Sequence, residues 1–259
     1  MYTVKFISTM RLFLAAILCL SLVGCGSGPG KSNFSAPPSN TTPPPSTPPP
    51  TANTEVVFIG DSVTDLWRNQ AAFQAHTNWT DKGISGQGSQ AIAMRFQADV
   101  VDLHPDEVHI IAGTNDLQAS WTLCPTPGPD DATPTTPPIT IDSANTCANM
   151  TYMVETAKRN NIKVIIGTIP PWGCASDPAC GFAAGDQSQG RLERINTLNT
   201  WLKAFAIKEG VTLIDYHAAL FDPISSRYTD GLTTDGVHPD ASGYAVMQPL
   251  VEGKLQQLQ

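Results

Sequence analysis

Serine is a weak nucleophile until a base takes its proton, so a hydrolytic serine is identified by the groups that accompany it. Ser62 stands in Gly60-Asp61-Ser62, directly after a short apolar run. A glycine there permits a tight turn that would present the hydroxyl at the edge of a sheet. A base is available in Asp235-Gly236-Val237-His238-Pro239. Asp235, three residues before His238, can fold back onto the imidazole and fix the tautomer that leaves the other ring nitrogen able to take the serine proton. The same Asp–His turn could instead serve only to cap the last helix. Two further strings bear on an oxyanion. Gly83-Ile84-Ser85-Gly86-Gln87 precedes a helical stretch, so a backbone N–H there could point at an anion. Gly113-Thr114-Asn115-Asp116 follows an apolar run, so the Asn115 amide could project from a strand end. With the amide of Ser62, two such donors would stabilise a tetrahedral intermediate. Each string alone reads equally as a plain loop, with glycines for turns and Asn for an Asx-turn.

Taken in order, Gly60-Asp61-Ser62, Gly86 within GISGQ, Gly113 to Asp116 and Asp235 to Pro239 resemble the four sequence blocks of the SGNH (GDSL-type) hydrolase superfamily. The resemblance runs from about residue 55 to the end of the chain. It implies Ser62 as nucleophile, His238 as base and Asp235 as the acid that orients it. It implies an oxyanion hole made of the backbone N–H groups of Ser62 and Gly86 and the side chain of Asn115. It further implies a three-layer α/β/α sandwich around a five-stranded parallel sheet, flavodoxin-like in type. The chemistry implied is hydrolysis of esters and thioesters through an acyl-serine, with no metal and no organic cofactor.

The elements that must position these residues are legible from hydrophobic periodicity. Short apolar runs at 55–59, 107–112, 163–169 and 211–216 predict buried strands. Helical spacing predicts helices over 65–76, 90–103, 143–160, 191–209 and 242–258. Strands alternating with helices imply a parallel sheet covered on both faces, with functional groups on loops at the carboxyl ends of the strands. Residues 117–142 break the rhythm with Pro, Thr and Asp, and read as an insertion beside Asn115 that could roof the acyl pocket. Trp67 and Trp172 could stack on a sugar ring or line an acyl pocket, or simply pack in the core. Asp61 could hold the nucleophile turn through backbone hydrogen bonds, or serve only the turn.

Outside the 55–259 domain, residues 1–24 read as a signal peptide, with Lys5 and Arg11 ahead of the apolar run Leu12 to Val23. The string Leu22-Val23-Gly24-Cys25 resembles a bacterial lipobox, which would leave Cys25 lipidated at the new N-terminus. The other reading is an ordinary secretory signal with a chance cysteine. Gly26 is not the aspartate that typically retains such lipoproteins at an inner membrane, so the expected location is exported and anchored, at an outer membrane, in the periplasm or at the cell surface. Residues 25–54, with proline triplets at Pro43 to Pro45 and Pro48 to Pro50, cannot bury a core and predict an extended tether. Four cysteines remain in the expected exported domain, and the local pairings Cys124–Cys147 and Cys174–Cys180 are favoured, with a zinc site as the rival reading.

The whole chain carries 15 basic and 23 acidic residues, a net charge of −8. Such a balance disfavours nucleic acid as a partner and gives no polybasic reason to sit on anionic lipid. The expected partners are a small ester or acylated glycan and, through the anchor, a membrane, for a monomeric protein. A carboxylester hydrolase acting on short acyl chains, including O-acetylated carbohydrate, is the leading expectation. A lysophospholipase or lipase, an acyltransferase using the same residues, and a non-catalytic glycan-binding module are the alternatives.

Overall fold

The computed structural model describes residues 54–117, 124, 141, 145–175 and 187–258. The signal, lipobox and tether segments, Cys25, Cys180 and most of the 117–142 insertion therefore lie outside the described residues. The central element is a five-stranded parallel sheet in the order β2-β1-β3-β4-β5. Its strands are β1 (Val56–Gly60), β2 (Trp79–Gly83), β3 (Glu107–Ile111), β4 (Lys163–Gly167) and β5 (Thr212–Ile214). Between and after them run α1 (Ser62–Trp67), α2 (Ala71–Gln74), α3 (Ser89–Asp99), α4 (Thr146–Arg159), α5 (Gln187–Glu209), α6 (Tyr216–Leu220), the short hairpin β6 (Phe221–Asp222) and β7 (Arg227–Tyr228), and α7 (Ala241–Leu258).

Every residue of β1 and β3 is buried, which explains why β1 reads as an unbroken apolar run and β3 as a mostly apolar one, interrupted by Glu107 and His109. β2 is an edge strand of sequence WTDKG and only its two ends are buried. It lacks an apolar run because one of its sides faces no neighbour, and periodicity alone does not find it. The stretch expected as one helix over 65–76 is two. α1 begins at Ser62 itself, with Val63 and Trp67 buried one turn apart, and the chain breaks before α2.

Helices cover both faces of the sheet. On one, α3 packs on α4, and Lys158 of α4 binds Glu209 at the end of α5 at 2.8 Å. On the other, α7 packs on α2 and α6. It also grips α1: Trp67 donates its indole N–H to Gln248 at 3.0 Å, and Tyr244 donates its hydroxyl to the Val63 carbonyl at 2.8 Å. The nucleophile helix is thereby clamped from behind. Gly60 and Gly83 are required by the same close packing, since a Cβ at either would collide with Thr64 or with the Asp65 backbone.

Beneath α1 the core holds a titratable group. His109 on β3 is fully buried among Phe58, Trp67 and Tyr216, and its Nε2 lies 3.0 Å from the Tyr216 hydroxyl. Burial pushes its pKa down to about 3. An unfolded histidine takes a proton below about 6.5. Between that value and about 3, the unfolded chain binds a proton that the folded chain refuses, so stability falls as pH drops through this window. Asp61 and Asp81, whose carboxyls burial raises from 3.8 to about 6, act in the opposite sense between those two values. His109→Gln keeps a partner for Tyr216 and removes the proton. It should raise stability at pH 5 relative to pH 7 compared with the parent, read as urea midpoints at the two values. An unchanged pH dependence would contradict the assignment.

Candidate active site

In a sheet of order 2-1-3-4-5 the connections leave β1 and β3 in opposite directions, which opens a crevice at their carboxyl ends. Gly60 is in register with Gly83 of β2 on one side and Ile111 of β3 on the other. The three strand ends therefore bring Ser62, Gly86 and Asn115 to one edge, although up to about fifty residues separate them in sequence.

Asp61 turns the chain from β1 into α1. Its side chain accepts the Val63 N–H at 3.0 Å, capping the helix so that Ser62 occupies its first position. Asp61 is fully buried, and burial raises its pKa to about 6 against the lowering effect of that hydrogen bond and of nearby His238. Asp61 thus holds the turn, the first of its two sequence readings. Ser62 itself is nearly buried, at 8% exposure.

The loop before α7 supplies the partner. His238 Nε2 lies 2.8 Å from Ser62 Oγ, and His238 Nδ1 lies 2.7 Å from Asp235 Oδ2. The other oxygen of Asp235 accepts the backbone N–H groups of Val237 and His238, each at 2.8 Å. Burial pushes the Asp235 carboxyl up, but hydrogen bonds from the His238 ring and backbone and from Val237 outweigh it and hold the pKa below its ordinary value. Thr233 braces the turn, donating to the His238 carbonyl at 2.7 Å and accepting from the Gly236 N–H at 2.9 Å. The rival reading of Asp235 as a helix cap does not hold, because Asp240 does that work: its carboxylate accepts the Ser242 and Gly243 N–H groups at 2.8 and 3.0 Å.

Gly86 has φ of +81°, a conformation that favours glycine, and it is exposed beside the crevice. Asn115 sits half-buried in a short 3₁₀ turn and donates one amide N–H to the Gln87 carbonyl at 2.9 Å. An amide nitrogen carries two hydrogens, so the second is left to point elsewhere. Asn115→Ala should lower kcat by about 10²–10³ with little change in the unfolding midpoint. A fall under threefold in steady-state assays would remove Asn115 from the oxyanion hole.

Sequence reasoning passed over Asp116. It is fully buried and accepts the Ser89 N–H at the start of α3 at 2.9 Å and the Thr146 hydroxyl at the start of α4 at 3.0 Å. Asp116 ties two helices to the Asn115 turn; its place next to Asn115 was the only sequence signal. The structure also places the two tryptophans. Trp67 is fully buried and belongs to the core. Trp172 is 8% exposed, and the Arg191 guanidinium stacks 4.1 Å over its ring, so that face is already covered. Trp172 precedes Gly173, whose N–H is bonded to the Gly236 carbonyl of the His238 loop at 2.6 Å.

Cys124 and Cys147 form a disulfide with Cα atoms 5.1 Å apart, tying a residue of the insertion to the start of α4. Cys174 is disulfide-bonded as well. Among the described residues no cluster of three or more His, Cys, Asp or Glu could hold a metal ion, and no helix is long and apolar enough to cross a membrane. Beside the His238 loop lies a cavity of about 360 Å³, walled by Thr229, Asp230, Thr233, Thr234 and Asp240 among others.

The sequence profile of the GDSL-like lipase/acylhydrolase family matches residues 58–246. Among curated proteins, none matches the chain. Solved structures do. A candidate acylhydrolase from Bacteroides fragilis NCTC 9343 superposes with a TM-score of 0.62 at 29% identity, over 80% of this chain and 89% of that one. A GDSL-like lipase from Bacteroides thetaiotaomicron VPI-5482 gives 0.62 at 28% identity, over 80% and 90%. A catalytic mutant of an acetylxylan esterase from Geobacillus stearothermophilus gives 0.54 at 20% identity, over 76% and 91%, and shares the fold.

Proposed function

The chain belongs to the GDSL-like lipase/acylhydrolase family, and from that premise we propose that it is a serine ester hydrolase acting on short-chain esters, O-acetylated carbohydrate among them. The observation that carries this reading is the continuous hydrogen-bonded line from Ser62 Oγ through His238 to Asp235. Ser62 Oγ attacks the ester carbonyl carbon as its proton passes to His238 Nε2. The carbonyl oxygen becomes an oxyanion, held by the Ser62 and Gly86 N–H groups and the Asn115 amide. His238 then gives the proton to the departing alkoxide, the C–O bond breaks, and an acyl-serine remains. Water enters, loses a proton to His238 and releases the acid by the reverse sequence. Asp235 stays ionised throughout and stabilises the imidazolium, in keeping with its lowered pKa.

The carbohydrate preference rests on the proline-rich tether over 25–54, which would hold an exported domain off a membrane and toward glycan. The Bacteroides thetaiotaomicron lipase at 28% identity favours a second reading, a lipase-type acylhydrolase. The rest of the proposal is cellular: a signal over 1–24, lipidation at Cys25, and a tether over 25–54 that holds a monomeric catalytic domain off an exported membrane surface.

Turnover of p-nitrophenyl esters from acetate to palmitate, alongside acetate release from acetylated xylan, tests the substrate class. The proposal expects kcat/KM to peak at acetate or propionate and acetate to be released from the glycan. A peak at long chains would transfer the protein to the lipase reading. No turnover of any ester by the folded chain would leave a binding module.

A further inference from the structure

The loop that carries Gly86 has almost no apolar packing of its own: Ile84, Ser85 and Gly86 are all exposed. Its position must therefore come from polar ties. Ser85 makes one, hydrogen-bonding through its N–H and hydroxyl to the Asp65 carboxylate of α1. From the other side comes Arg95, in the middle of α3, a side chain only 14% exposed. Its guanidinium has a fixed planar fork of five N–H donors. Nη2 donates to the Gly60 carbonyl at 2.9 Å, Nη1 to the Lys82 carbonyl at 2.6 Å, and Nε to the Gln87 side-chain oxygen at 2.7 Å. Asp99, one turn along α3, holds Nη1 at 2.8 Å and fixes the fork in place.

Gly60 is the last residue of β1, two before Ser62; Lys82 stands one residue before the end of β2; Gln87 follows Gly86 and gives its backbone carbonyl to Asn115. One cation thus touches the strand end that carries the nucleophile and the residue that joins Gly86 to Asn115. We propose that Arg95 is a positioning residue for the oxyanion hole, setting the spacing of the Ser62, Gly86 and Asn115 donors through Gly60 and Gln87. It rests on the esterase reading and deepens it, because these donors aid the reaction only if aimed where charge develops, and a displacement near 1 Å costs about 10²-fold.

The role predicts a particular signature. Gln87→Met deletes the Arg95–Gln87 bond and keeps the backbone carbonyl that Asn115 uses. It should lower kcat by about tenfold or more while KM moves less than threefold, with an unchanged unfolding midpoint. Arg95→Met should lower kcat further, and Arg95→Lys should restore part of the loss, since an ammonium can reach one carbonyl but cannot fork. The decisive experiment is a double-mutant cycle on kcat with p-nitrophenyl acetate, using the full chain. If Arg95 acts through the oxyanion hole, Arg95→Met and Gln87→Met should each cost much less in an Asn115→Ala background than in the parent. Additive losses, or a kcat for Gln87→Met equal to that of the parent, would overturn the proposal while leaving the esterase reading intact. A parent protein whose turnover survives Ser62→Ala, or that turns over nothing, would overturn both.

Discussion

Ser62→Ala should abolish ester turnover, lowering kcat by about 10⁶-fold. Among the described residues the Ser62 hydroxyl is the nucleophile placed against a base: it lies 2.8 Å from His238 Nε2, at the first position of α1. The substitution leaves the three oxyanion donors in place, because the Ser62 N–H and the Asn115 amide do not depend on the hydroxyl. What survives is attack by water in a preorganised site, a small residue of the original rate. Stability should hardly change, since Ser62 Oγ bonds the edge of a half-exposed loop rather than the core. Steady-state kinetics beside a thermal melt checks both halves. A loss below about a hundredfold would mean that another group supplies the nucleophile.

Asp235→Asn should cost about 10⁴ in kcat while leaving the fold intact. The size follows from how the two carboxylate oxygens are used. One accepts two backbone N–H groups and the other accepts the His238 ring. An asparagine has one acceptor oxygen, and if the backbone pair claims it, the amide NH₂ faces His238 Nδ1. The imidazole must then carry its proton on Nε2, where it can no longer take the one on Ser62. The electrostatic support for the imidazolium goes as well. A kcat within tenfold of the parent would remove Asp235 from its role. A lost fold would show instead that the carboxylate serves the turn, a result distinguishable by circular dichroism.

The two strands that carry most of the site were legible because β1 and β3 are buried on both faces, so the run EVVFI and the run EVHIIA could hardly be anything else. The edge strand β2 was not, because its interior is Thr80, Asp81 and Lys82. Ser62, Gly86, Asn115, Asp235 and His238 could be named from four short strings, and the fold places Ser62, Asp235 and His238 in one hydrogen-bonded line and Asn115 on the carbonyl next to Gly86. The supporting residues could not be named. Arg95 sits mid-helix with the spacing of an ordinary solvent-facing arginine, and Asp116 looks like a turn residue. Their roles depend on which strand ends lie next to them, and a sequence does not state that until the sheet order is known. The sequence also left open whether Asp235 caps the last helix. Only the position of Asp240, five residues on and bonded to the first N–H groups of α7, decides it.

The central claim is that Ser62 is a serine activated for acyl transfer. The most direct measurement is stoichiometric labelling of the folded chain with a fluorophosphonate, followed by peptide mapping. The account predicts one adduct per chain, on Ser62, with labelling abolished in Ser62→Ala and strongly slowed in Asp235→Asn. Absence of any adduct on the folded protein, or an adduct on a different residue, would contradict it.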